Sequence, residues 1–185
     1  SGFSRAWLGS VADTVVRTAP WPVFLVRPGC GEPPTRDRPF QRILVPLDGS
    51  PRAERVLPYA VELAMASGAT LELLQVVTPA SVVGTRILPV SKAALAEGKR
   101  RVQEYLDGVA ERLRKRDLYV DVRVLEHRQP ARAILDVMEE DCPDLVAMAT
   151  HGYRGVTRVV LGSVADKVLR GGKTPVLVLG PGVAD

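Results

Sequence analysis

From Gln41 onward, short apolar runs alternate with amphipathic stretches, and that alternation leaves few folds open. Residues 42–47 form an apolar strand, and Asp48-Gly49-Ser50 ends it and is suited to capping a helix. Over 51–67, Val56, Leu57, Ala60, Leu63 and Ala64 fall at the spacing of one helical face, closed by Gly68. Thr70–Val77 is the next strand, 78–90 a long irregular loop, and Ser91 the cap of a helix reaching about residue 116. A strand over 119–125, a helix over 131–140, a strand over 145–150, a helix over 157–170 and a strand over Val176–Leu179 complete the series. Strands that alternate with helices predict a parallel sheet covered on both faces. The expected fold is therefore α/β: a doubly wound, Rossmann-like, five-stranded parallel sheet.

The composition agrees. Of 185 residues, 46% are hydrophobic and 25% charged, which excludes a disordered or collagen-like chain. No apolar run reaches the roughly 18 residues that a membrane span needs, and the first residues lack the pattern of a signal peptide. The net charge of +4 is spread along helix faces, and aromatics, at 5%, are not interleaved with it, so neither nucleic acid nor membrane is an expected partner. Cys30 and Cys142 have neither metal-ligand nor redox-motif spacing, so a reducing, cytoplasmic compartment is expected and no metal.

An internal repeat explains the first residues. Shifted by 153 positions, 2–28 falls on 155–181, and Leu8-Gly9-Ser10-Val11-Ala12-Asp13 matches Leu161-Gly162-Ser163-Val164-Ala165-Asp166 without a break. Arg17 falls on Arg170, and Pro22-Val23 on Pro175-Val176. Residues 1–28 thus read as the last helix and strand of a preceding homologous domain, 29–40 as a Gly- and Pro-rich linker, and 41–185 as a complete domain. A natural N-terminal arm is the alternative. The strand Val23-Phe24-Leu25-Val26 is expected to pair with Val176-Leu177-Val178-Leu179 of the same or another chain, with self-association hiding the apolar stripe of the first helix.

In such sheets ligands bind beyond the carboxyl ends of the strands, where the strand order switches. That directs attention to Asp48, Val76-Val77-Thr78, 127–130 and 150–163. The last of these carries the signal: Met148-Ala149-Thr150-His151-Gly152-Tyr153-Arg154-Gly155, then Leu161-Gly162-Ser163-Val164 entering an apolar helix. Glycines admit an anion close to the backbone, and N–H groups at a helix start favour phosphate oxygens. Asp48 suits either a ligand contact or a helix cap. His151 suits a loop-shaping or phosphate-neighbouring role better than a general base, for no nucleophile or carboxylate is placed to form a relay with it. Arg154 and Arg158 either reach phosphates or are solvated. Gly171-Gly172-Lys173-Thr174 resembles the end of a Walker A loop, but it lacks the earlier glycine and stands between a helix and the strand after it. It reads as a helix stop and turn.

At these residues the sequence resembles the universal stress protein family, over about 42–179. Members of that family that bind nucleotides carry G-x2-G-x9-G-[S/T]; Gly152, nine residues, then Gly162-Ser163 match it, and Ala149 replaces the first glycine. Pro46-Leu47-Asp48 and Leu74-Gln75-Val76-Val77 fit the ends of the family's first two strands. The resemblance implies a strand order 3-2-1-4-5 and dimers paired through the last strands. It implies an ATP site, with or without Mg2+. There Pro46, Leu47, Asp48 and Val76 meet adenine and ribose, while Met148, Ala149, His151, Gly152, Arg154, Gly155, Gly162, Ser163 and Val164 line the ribose and phosphate side. Arg128, where the family often has glycine, would either clash with the nucleotide or supply a cation to its phosphates. The function so implied is an ATP-binding regulator or adaptor of a stress response rather than an enzyme. A nucleotide-free dimerising scaffold is the alternative and a slow ATP hydrolase the third reading.

Overall fold

A computed structural model describes residues 9–27, 35, 39–83, 86–150, 161–180 and 182–183. Its elements are α1 (Ser10–Thr18), β1 (Val23–Leu25), β2 (Arg42–Pro46), α2 (Pro51–Glu54), α3 (Leu57–Ser67), β3 (Thr70–Val77), β4 (Ala80–Val83), β5 (Arg86–Pro89), α4 (Lys92–Arg114), β6 (Val120–Glu126), α5 (Pro130–Glu140), β7 (Leu145–Ala149), α6 (Ser163–Gly171) and β8 (Val176–Leu179).

The main sheet has the order β1-β8-β7-β2-β3-β6. Its five strands from β2 onward are parallel and take the expected order 3-2-1-4-5. Burial on both faces follows from the sequence. Leu44, Leu74, Val146 and Val178 point toward α5 and α6, whereas Ile43, Val45, Leu71, Leu73 and Leu177 point toward α3 and α4. Alternating side chains of near-continuous apolar strands fill both layers, as strands covered on two faces require.

Three features differ from expectation. The sheet has six strands rather than five, because β1 joins it antiparallel to β8 within the same chain. The stretch 51–67 is two helices, α2 and α3, because Pro58 has no N–H for a bond back to residue 54 and its ring would crowd that carbonyl. The expected irregular loop 78–90 contains the antiparallel hairpin β4–β5. Gly84-Thr85 separates Val82-Val83 from Arg86-Ile87 in the sequence, a two-residue spacing with a glycine between short β-rich runs. The helix expected over 157–170 is α6, which starts only at Ser163 with Gly162 as its N-cap, residues 157–160 lying outside the described residues; the other helix and strand ends differ from expectation by a residue or two.

Capping follows the local chemistry. The Ser50 and Ser91 hydroxyls accept the N–H groups of Ala53 at 3.1 Å and Ala94 at 3.2 Å. Gly68, with φ +72°, closes α3 in the left-handed conformation. The Gly171-Gly172 segment ends α6 and turns into β8, as read from the sequence.

The N-terminal piece is built into the domain. Val16 of α1 is fully buried among α6 and the β7–β8 strands. Gly180 and Gly182 run beneath the end of α1: a Cβ on Gly180 would overlap the Val16 carbonyl oxygen, and one on Gly182 would stand 2.7 Å from that of Ala19. Arg27 donates to the carbonyl oxygens of Arg170, at 2.9 Å, and Leu169, closing the end of α6.

Candidate functional site

The sheet switches direction beside β2, which has β3 on one side and β7 on the other. The Arg42 carbonyl accepts the Asp144 N–H at 3.0 Å, so residues 42, 44 and 46 turn their backbone groups toward β7. The β2–β7 register stops at Leu44↔Val146. The next rung would need an N–H from residue 46, and Pro46 has none. Beyond that point a crevice opens between Pro46-Leu47-Asp48 and Met148-Ala149.

On the other side β2 and β3 stay paired through Pro46↔Leu74, and the Leu47 N–H reaches the Leu74 carbonyl at 2.8 Å. Backbone groups of Leu74 and Val76 point the same way, by the strand's alternation. Val76 lies two positions past the last ladder residue, Leu74, so its N–H and C=O are directed into the crevice. A cavity of about 190 Å³ occupies this point, walled by Pro46, Leu47, Asp48, Val76, Met148, Ala149 and Val164, and also by Ala53, Leu74, Gln75, Pro130, Ile134 and Ala165. Pockets that enclose a whole small ligand span about 300–1,000 Å³. The walled part therefore suits a flat ring with one polar edge.

Asp48 has both roles left open by its sequence position. Its Oδ1 accepts the Ser50 N–H at 2.9 Å, fixing the turn at Gly49 (φ +81°), while the residue also lines the cavity. Ser50, rather than Asp48, is the helix cap. At the far end of the cavity α6 begins at Gly162-Ser163; Ser163 is exposed and Val164 faces the cavity wall. The first N–H groups of α6 and its dipole give this edge positive character. His151, Gly152, Arg154 and Gly155, with Arg158, lie outside the described residues.

Arg128 is not in this cavity. It lines a neighbouring open concavity of about 410 Å³ with Pro79, Glu126, His127 and Gln129, at the carboxyl ends of β3 and β6. Glu126 there is paired with Lys99 at 2.5 Å, and His127 Nδ1 accepts the Gln129 N–H at 3.0 Å. Gln129-Pro130 links the two depressions in sequence.

Gln75 escaped the sequence reading. Its Oε1 is buried and accepts no hydrogen bond from any described residue, and its amide nitrogen lies 3.6 Å from where a Cβ on Gly49 would stand. The signal was available: a polar side chain in a strand buried on both faces. Behind it, the Tyr105 hydroxyl donates to Glu54 Oε1 at 3.0 Å, and Arg112 binds the other oxygen at 2.8 Å. Burial, and then Glu54, push the Tyr105 pKa upward, so the phenol remains a donor that ties α4 to α2 under the crevice.

The Universal stress protein family model matches residues 39–180. The chain belongs to the universal stress protein family. A universal stress protein of Mycobacterium tuberculosis is 33% identical over 178 residues, covering 95% of this chain and 57% of its own length. One from Methanocaldococcus jannaschii is 30% identical over 147 residues, covering 76% of this chain and 82% of its own. Among solved structures, a universal stress protein from Archaeoglobus fulgidus superposes with TM-score 0.63 at 28% identity, over 97% of this chain and 58% of that one. A universal stress protein solved with cAMP superposes with TM-score 0.58 at 22% identity, over 77% of this chain and 98% of that one, a likeness of fold. The chain spans little more than half the length of the mycobacterial relatives. No helix among the described residues is long and apolar enough to cross a membrane.

Proposed function

We propose that this universal stress protein domain binds an adenine nucleotide, ATP with or without Mg2+, and acts as a non-enzymatic regulator or adaptor in a stress response. The observation that carries the reading is the crevice at the sheet's switch point. Backbone groups of Val76 and the apolar walls of Pro46, Met148 and Val164 converge there on a ring-sized space that leads toward the start of α6. An adenine ring matches it in kind, with two flat apolar faces and an edge that both donates and accepts. Asp48 would meet the ribose, and Gly162-Ser163 the phosphates, together with the loop that holds His151, Gly152, Arg154 and Gly155. Arg128, one depression away, is near enough in the chain to serve as a phosphate cation. Solved family members hold cAMP and dAMP, which supports the class of ligand for those proteins; for this chain the argument is its own crevice.

The second reading, a nucleotide-free scaffold, is favoured by Ala149, whose methyl stands in the cavity wall where the family motif has glycine. Equilibrium titration of the protein with ATP and with AMP, each with and without Mg2+, separates the two. Saturable binding is expected, weakened at least about tenfold by Gly162→Asp, which sets a carboxylate where phosphates gain from the helix dipole. Parent protein that binds neither nucleotide overturns the proposal and leaves the scaffold; release of phosphate from bound ATP would instead establish the hydrolase.

A further inference from the structure

Between Leu71 and Val77, strand β3 carries two polar side chains, and among the described residues only one has a partner for its buried oxygen. Glu72 is paired with Arg123 at 2.9 Å. Gln75 follows Leu73 and Leu74, which are fully buried, and lines the crevice with Asp48 and Val76. Its Oε1 is buried, and no described residue donates to it. A buried carbonyl without a donor costs free energy that a hydrogen bond would return, and such atoms are uncommon in folded chains. A half-turn of the terminal amide brings no relief, since it exchanges a buried acceptor for two buried donors.

The surroundings give no packing reason for an amide. Along the same face of β3, Leu71 and Leu73 are fully buried in the apolar layer under α3 and α4, and Ala53 of α2 walls the cavity on that side. Leu47, also buried, extends the neighbouring strand end, held by its N–H to the Leu74 carbonyl at 2.8 Å. A leucine or methionine at position 75 would continue this layer and leave no orphan atom. The Gln75 nitrogen lies against the Gly49 turn, 3.6 Å from where a Cβ would stand there, so the amide sits beside the turn that holds Asp48. What the amide offers and an apolar side chain cannot is a donor and an acceptor side by side in the wall of a ring-sized cavity.

We infer that Gln75 is the base-reading residue of the crevice. Its amide takes the edge of a 6-aminopurine that Val76 leaves free, Oε1 accepting one hydrogen of the exocyclic amine and Nε2 donating to the ring nitrogen N7. The inference rests on the nucleotide reading above and narrows it to the base. The Val76 backbone offers one N–H and one C=O, enough for N1 and one amine hydrogen. The amine has a second hydrogen, on the side of N7, and a glutamine amide matches that pair of atoms with two parallel bonds. Guanine and hypoxanthine present two acceptors, O6 and N7, on this edge, so in either orientation of the amide Oε1 gains no donor. Only the amino base satisfies the orphan oxygen.

Equilibrium titrations of the parent and of Gln75→Met with ATP, ITP and 7-deaza-ATP test this, together with melting temperatures of both proteins without ligand. ITP exchanges the amine for a carbonyl, and 7-deaza-ATP lacks only the N7 acceptor. The parent is expected to bind ATP at least about tenfold more tightly than either analogue. In Gln75→Met the preference over 7-deaza-ATP should vanish and that over ITP should narrow about tenfold, Val76 retaining the remainder. Because the substitution removes an orphan oxygen and keeps the side chain's length, the ligand-free melting temperature should stay level or rise. A parent that binds ATP and 7-deaza-ATP equally, or a preference that survives in Gln75→Met, would overturn the inference. So would a ligand-free melting temperature lowered by several degrees, which would mark the amide as a structural group. Each of these results leaves the nucleotide site standing. A parent that binds none of the three fails at the earlier step and removes the site and its reader together.

Discussion

A single missing hydrogen shapes the crevice. Pro46 cannot donate the next rung to β7, so the ladder ends at Leu44↔Val146 and the strand ends part. Another residue of the sheet works against its surroundings. Glu72, 5% exposed, is paired with Arg123 at 2.9 Å, and Arg123 reaches Asp141 at 2.6 Å. Burial nonetheless outweighs Arg123 and raises the Glu72 pKa, with Asp141 adding to the rise. The folded chain therefore holds this proton more tightly than the unfolded one. The stabilisation is complete below the ordinary carboxylate pKa and is lost as pH rises through the raised value. Glu72→Gln removes the titration while keeping the shape. Its melting temperature relative to the parent should climb between about pH 4 and pH 7; a difference that stays flat across that range would refute the account.

At the scale of elements, α1 is held by close backbone packing and charge pairing more than by area. Only Val16 of that helix is buried, and the chain at Gly180 passes so near its carbonyl that no side chain fits between them. Gly180→Ala should therefore displace α1 and not the rest, costing about 1–3 kcal/mol as overpacking does. Amide exchange would show it as faster exchange in α1 and β1 with α3, α4 and the central strands unchanged; uniform destabilisation would contradict that separation. Asp13 sharpens the point: the hydrogen bond from Arg17 lowers its pKa, so this contribution is present at neutral pH and fades as acid protonates the carboxylate.

For the whole molecule, the parallel order of β2, β3, β6, β7 and β8 places their carboxyl ends at one edge, where the proposed ligand touches β2, β3, β7 and α6 together. Binding there should stabilise the domain as a unit. At a nucleotide concentration of about 100 times Kd the gain is about 2.7 kcal/mol. For a protein of this length that corresponds to a rise of about 5–10 °C in melting temperature. Differential scanning calorimetry with ATP and with GTP would read it; no rise with an adenine nucleotide would count against the crevice as its site.

The α/β class, the strand order and the capping serines follow from local pattern and from the resemblance carried by Pro46-Leu47-Asp48 and Gly152…Gly162-Ser163, because period, turn residues and caps are properties of neighbours in sequence. The repeat, too, is a fact of the sequence alone. Pro58 and the Gly84-Thr85 dipeptide are equally local signals, outweighed by the apolar pattern of 51–67 and the irregular look of 78–90. Other features needed the fold. Gln75 enters the crevice, and Arg128 stands one depression away, because β2 ends where it does beside β3 and β7. Whether β1 would find its partner in the same chain depended on Gly180, Gly182 and Arg27 meeting the ends of two helices more than 140 residues apart in sequence. Sequence period determines which face of an element is apolar; only the packed structure decides what covers it.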